Sequence, residues 1–259
     1  TEDAFNYAKE RVNPENKKPY ETIESDRLFN NLLSSQPMAF NLFCPLRQML
    51  KESPEIATKV IKSALPKHPI HRVTKVDLEF IPEKYKELTG DKSAMDAIIE
   101  FKDKDGKDGF IAIETKYSEN LGSNAAYDID EKGNKKPREQ SLKAIRQLKC
   151  FNSDVEMRIL EGEVKLTQIY RNFLLSETYG EWNTLESYSI ILAPQDHPST
   201  DNEVNSLLSE LREEYKNKIE EINLEDFVER IISVCPEEYA TIFKRFYDRY
   251  LNFDKLKEY

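Results

Sequence analysis

The sequence predicts an α/β fold. A helix precedes a three-stranded antiparallel meander, a second helix precedes a fourth strand, helices cover both faces, and the C-terminal extension is helical. Three observations carry this prediction. The hydrophobic period changes from helical to alternating just after Pro66. Asp105-Gly106 lies between two apolar runs, a strong short-range hairpin signal. The stretch "SYSIILAP", residues 187–194, is apolar through its centre, as a strand internal to a sheet would be.

The elements follow in order. Residues 1–22 are polar and contain Pro14 and Pro19, which suits an irregular or partly helical arm. From Glu24 to about Leu65 the spacing is helical, with interruptions at "SSQP" and near Pro54. Leu28, Leu32 and Leu33 give one apolar stripe. Phe40, Phe43, Leu46, Met49 and Leu50 give another, which Ile56, Val60, Ile61 and Leu65 continue. "HRVTKVDLEF" then alternates through Val73, Val76, Leu78 and Phe80 until Pro82. "AMDAIIEF" and "GFIAIETKY" form the hairpin on either side of Asp105-Gly106. Residues 118–137 read as a long loop, and a loop of that length is more often functional or mobile than idle. Leu142, Ile145 and Leu148 mark one helix, and Leu166, Ile169, Phe173 and Leu174 mark the next. Asn223 is placed to cap "LEDFVERIISV", and Pro236 opens a last helix. Its Tyr239, Ile242, Phe243, Phe246, Tyr247 and Tyr250 form one broad stripe, for the body of the protein or for a homo-oligomer or protein partner. The expected division is a helical segment at 1–66, a core at 67–195 and the helical extension at 196–259.

The chain has 259 residues, 39% hydrophobic and 33% charged, and its net charge is −10. No window is apolar enough for a bilayer span, and the first residues lack the layout of a secretory signal. Three scattered cysteines give neither a disulfide framework nor a zinc spacing, so a reducing, cytoplasmic setting is expected. A metal would have to use carboxylates, which favours Mg²⁺ or Mn²⁺. Charge is unevenly spread. Residues 56–76 carry Lys59, Lys62, Lys67, Arg72 and Lys75 with no acid. Residues 131–149 hold seven basic and two acidic side chains, and residues 201–229 hold ten acidic and three basic ones. A locally positive groove on an acidic protein is compatible with this pattern; solvated helix faces are the plainer reading.

The chemistry concentrates in "MDAIIEFKDKDGKDGFIAIETKY", residues 95–117. Residues two apart in a strand share a face, so Glu114 and Lys116 project together. With the turn at Asp105-Gly106, Asp96 falls within a rung or two of Glu114, and a bulge could bring it onto the same face. Adjacent carboxylates raise each other's pKa unless a cation separates them. A divalent ion does so while activating water and offsetting charge on a scissile phosphate. The lysine can stabilise developing charge. Alone, the tripeptide could equally mark where a strand enters water.

With this motif in its helix–hairpin–helix–strand setting, the chain resembles the PD-(D/E)xK nuclease superfamily. It is similar more closely to a bacterial group of restriction-type endonucleases of that kind. "LLSSQPMAFNLFCPL" (32–46), "GDKSAMDAIIEF" (90–101), "IETKYSE" (113–119) and "QIYRNFLLS" (168–176) carry the closer likeness, across roughly residues 24–195. The resemblance implies a restriction-endonuclease-like core and a metal-dependent nuclease. Asp96 and Glu114 would be metal ligands and Lys116 the catalytic lysine. Met95 stands where the motif has its proline. The superfamily often adds an acid from the first helix; Glu21, Glu24, Glu52 and Glu55 are candidates, and Glu24 is the choice. DNA is favoured over RNA, and a bacterial defence setting follows from the resemblance alone. The rival is a catalytically silent or partner-activated nucleic-acid-binding effector with the same fold.

Around the motif, Gln168, Arg171 and Asn172 can share a helix face and reach the site or a phosphate. Lys132, Lys135, Lys136, Arg138, Lys143 and Arg146 would contact backbone phosphates. Gln36 and Asn41 suit capping or turn duty.

Overall fold

A computed structural model describes residues 2–16, 23–31, 33–119, 127–129, 131, 133 and 135–253. The expected candidates Glu21 and Lys132 lie outside the described residues, and so do the side chain of Lys135 and much of the 118–137 loop.

Four helices lead in: α1 (Glu2–Val12), α2 (Ser25–Asn30), α3 (Ser35–Glu52) and α4 (Pro54–Ala64). The helical run breaks before "SSQP", between Asn30 and Ser35, and "SSQP" itself starts the next helix. Ser34 accepts the Gln36 N–H as N-cap, and Pro37 falls in the first turn, where a missing N–H costs nothing. Then come β1 (Arg72–Phe80), α5 (Tyr85–Leu88), β2 (Met95–Lys102) and β3 (Asp108–Thr115). The short strands β4 (Asp128–Ile129) and β5 (Lys135–Lys136) pair with each other. After them run α6 (Glu139–Leu148), α7 (Val155–Leu160), α8 (Gln168–Asn183) and β6 (Glu186–Ala193). The chain continues through α9 (Thr200–Glu210), a 3₁₀ turn (Glu213–Lys218), β7 (Ile219–Asn223), α10 (Leu224–Val234) and α11 (Glu237–Tyr250).

The main sheet has the order β1-β2-β3-β6-β7. The first three strands are the expected antiparallel meander, and β6 and β7 join parallel to β3. This is the restriction-endonuclease-like arrangement. Alternation sorts the side chains. Ala97, Ile99, Ile111, Ile113, Ile190 and Leu192 face the α3, α4 and α10 side in one cluster that runs from Ala4 to Leu251. Ile98, Phe110, Ala112 and Ile191 face the α6–α9 side. That leaves Glu114 and Asp96, by the same parity, on the α8 face.

Two features of the sheet depart from the sequence reading. In β1 the register shifts between Val73 and Lys75, so Val73 and Val76, three apart, share the apolar face. Beyond Leu78 the alternation fails, because Glu79 adopts φ 48° and Phe80 lands against the opposite cluster. The C-terminal segment also contributes a strand, β7, where helix was expected. Ile219 and Ile222 are three apart, which in a strand puts them on opposite faces. Each joins a different core, because both faces are covered. The α11 stripe packs inward, with Ala240, Phe243, Phe246 and Tyr250 buried within the chain. Among the described residues no helix is long and apolar enough to cross a membrane.

Candidate active site

The β2–β3 register runs without a shift to Ala97↔Ile113, and carrying it one residue further brings Asp96 opposite Glu114. On the other side, Leu78↔Ala97 and Phe80↔Met95 bracket Glu79 opposite Asp96. One row across three strands therefore carries Glu79, Asp96 and Glu114. Sequence reasoning missed Glu79. Its signal was an acid one residue from the end of an apolar strand, masked by an alternation that seemed to continue to Phe80.

Each acid is held. Thr115, fully buried, donates both its backbone N–H and its hydroxyl to Asp96 Oδ2, each at 2.7 Å. Glu114 Oε1 accepts Lys116 Nζ and Gln168 Nε2, both at 2.6 Å, and Oε2 accepts Asn172 Nδ2 at 2.7 Å. Lys116 also donates to Gln168 Oε1 at 3.1 Å. The Lys116–Glu114 pair is only 6% and 5% exposed at its side chains. Glu79 is buried and accepts Gln36 Nε2 at 2.7 Å. Gln36 thus supports an acid of the row instead of capping a turn, while Asn41 donates to the Tyr250 hydroxyl.

The electrostatics follow from Glu114 and half-buried Asp96 sharing the pull of the Lys116 ammonium, with Glu79 and Arg27 acting more weakly. Burial, then the Asp96 carboxylate, pushes Glu114 up to about 7 against the pull of Lys116, and Glu79 adds to the push. Burial likewise raises Asp96, although Lys116 and the Thr115 donors oppose it. Burial alone would lower Lys116, but Glu114 and Asp96 outweigh it and hold the ammonium above its usual range. Just beyond, burial would raise Glu119, yet backbone N–H groups led by that of Ser35 hold it at about 2. Glu119 Oε1 accepts from Ser35 N and from Arg27 Nη2, tying α2 and α3 to the chain after β3.

The structure brings Gln168 and Asn172 onto Glu114, as one helix face four residues apart allows. It directs Arg171 and Arg138 elsewhere. Arg171 Nη1 lies 2.8 Å from Asp91 Oδ2, in a pair only 14% and 5% exposed. Arg138 donates to the Gly90 carbonyl at 2.7 Å and lies 3.7 Å from Asp91. Arg146 pairs with Glu139 and Glu156. Lys136 and Lys143 are exposed in the segment after β3. Glu24 is exposed at the N-cap of α2.

The donor set fits a hard divalent ion. Two carboxylates with raised pKa share one ammonium, so the pocket is short of positive charge. Of the roughly four lone-pair positions of a carboxylate, Glu114 fills three, and both Asp96 bonds fall on Oδ2. Among the described residues no three His, Cys, Asp or Glu side chains gather as a ready-made ligand set. An ion would therefore complete its shell with water and substrate, as Mg²⁺ does.

No curated protein matches the chain, and no solved structure matches it. The family model of the PD-(D/E)XK nuclease superfamily matches residues 1–252. The chain, with its acid row across the meander and its Glu-Thr-Lys at the end of β3, belongs to this superfamily.

Proposed function

We propose that the protein is a Mg²⁺- or Mn²⁺-dependent nuclease that hydrolyses phosphodiester bonds in DNA, in a bacterial defence setting. One observation supports this above the others: Asp96, the residue before the Ala97↔Ile113 pair, and Glu114, the residue after it, raise each other's need for a cation, and the Lys116 ammonium paired with Glu114 acts on both. Asp96 Oδ1 and Glu114 Oε2 would hold the ion. When bound, it supplies activation of the attacking water and offsets charge on the scissile phosphate. Lys116 stabilises the negative charge that builds on the phosphate oxygens. Gln168 and Asn172 fix the Glu114 carboxylate, and Thr115 fixes Asp96. Lys136 and Lys143, with Lys135 beside them in sequence, contact backbone phosphates; Arg138 and Arg171 brace Asp91. Glu79 supplies the third negative charge that the sequence reading assigned to Glu24.

The test is cleavage of plasmid, linear and single-stranded DNA in Mg²⁺ and in Mn²⁺, beside Lys116→Ala and Asp96→Asn. Both variants are expected to stop cutting while staying folded. Cutting that persists in both rejects the site.

One observation favours a second reading, that of a nuclease awaiting activation by a partner. Lys116 is engaged by Glu114 and Gln168, so it would have to part from them before it could reach a phosphate. Saturable Mn²⁺ binding without any DNA cutting would favour it.

A further inference from the structure

The opposite end of the meander carries a second charged feature that the carboxylate row leaves unexplained. A cavity of about 620 Å³ lies between α4 and the β2–β3 turn. Lys59, Lys62, Arg72, Lys102 and Lys104 line it, and Glu55 and Asp103 are its acids. Asp103 is committed to the turn, accepting the Asp105 and Lys107 N–H groups. Asp96 and Lys102 are six residues apart on β2, so this cavity is roughly 20 Å from the acid row at ~3.3 Å per residue.

Two like-charge juxtapositions meet there. Arg72 and Lys102 are direct partners across the β1–β2 ladder; like charges so placed destabilise a sheet. Lys59 and Lys62 stand three apart on the exposed face of α4, where like charges also repel. Lys102 is paired with Asp108 and Lys104 with Asp105, but Lys59, Lys62 and Arg72 are exposed and have no ion-pair partner among the described residues. On a chain of net charge −10, cations gathered round one cavity make a local positive field that an anion would offset. The volume is that of a small-molecule site. Both pairs of cations line the same space, so a compact polyanion inside it would meet both.

We propose that this cavity binds the phosphate groups of a nucleoside polyphosphate, as a site separate from the acid row. The inference stands apart from the nuclease reading and does not require it.

Calorimetric titration with ATP tests it, run in EDTA so that no metal at Asp96 and Glu114 can recruit phosphate. Saturable binding is expected, at least tenfold weaker in Lys59→Glu/Lys62→Glu, unchanged in Asp96→Asn, and competed by inorganic tripolyphosphate. Lys59→Ala/Lys62→Ala gives the same direction should the double reversal fail to fold. Hydrogen exchange on the unaltered chain should show ATP protecting residues 54–64. The proposal is overturned if ATP does not saturate, if it binds the reversed variant equally, or if tripolyphosphate does not compete. It also falls if the reversed variant loses only duplex affinity, which would assign the cavity to the nucleic-acid track.

Discussion

Removing the one cation of the acid row should expose how strongly the two carboxylates repel. In Lys116→Ala the ammonium 2.6 Å from Glu114 Oε1 disappears; Glu114 loses its counter-charge, and Asp96 keeps only the weaker pull of Arg27 and its Thr115 donors. Breaking a buried pair by deleting one partner costs about 3–5 kcal/mol. At ~2–4 °C per kcal/mol for a chain of this size, the melting temperature should fall by about 10 °C at pH 8. The loss depends on pH, and its sign can be worked out. Glu114 already holds its proton to about pH 7 in the folded state, against an ordinary 4.5. Between those values the folded state binds more protons than the unfolded one, so stability falls as pH rises. Without Lys116 that window extends above 7. The variant should therefore lie close to the unaltered protein at pH 5.5 and far below it at pH 8, and Mn²⁺ should restore part of the difference. Urea unfolding at the two pH values reads this out. A variant within about 1 kcal/mol at pH 8, or a loss that ignores pH, would refute the electrostatic account.

Three further outcomes follow from the same geometry. Mn²⁺ affinity should rise by about tenfold per pH unit below pH 7 and level off above it, since binding must expel the Glu114 proton; a flat profile by calorimetry contradicts this. Glu177, buried and bonded by Ser187, is pushed up to about 7 by burial, so its folded form loses stability between pH 4.5 and 7. Glu177→Gln should gain about 3 kcal/mol at pH 8 and nothing at pH 4, by urea unfolding; equal stability at pH 8 contradicts it. Arg171→Ala should destabilise by about 3 kcal/mol by leaving Asp91 under-compensated, with DNA affinity unchanged once folded. Intact stability with weakened DNA binding would restore Arg171 as a phosphate contact.

Much of this was legible in the sequence, because alternation and one Asp-Gly turn fix a meander. The strands around Asp105-Gly106 and the apolar "SYSIILAP" lie where their patterns put them. The pairing of Glu114 with Lys116 needed only the two-residue period of a strand. Gln168 was legible as a polar face on α8, but not its role as a bridge between Lys116 and Glu114, which depends on how the helix crosses the sheet. Arg138 and Arg171 could not be told from phosphate ligands, because the acid that holds them, Asp91, sits in a turn 47 and 80 residues away in the chain. Glu79 was hidden for a local reason. A left-handed backbone at a non-glycine residue breaks the alternation, and no residue pattern announces it. Strand β7 was hidden by its length and by isoleucines three apart.

The central claim is that Asp96 and Glu114 hold a divalent ion on the α8 face of the meander. Anomalous diffraction from crystals soaked in Mn²⁺ tests it most directly. The account predicts a peak about 2.0–2.2 Å from Asp96 Oδ1 and Glu114 Oε2, lost in Asp96→Asn. A soaked crystal with Mn²⁺ bound elsewhere and none between those two oxygens would contradict it.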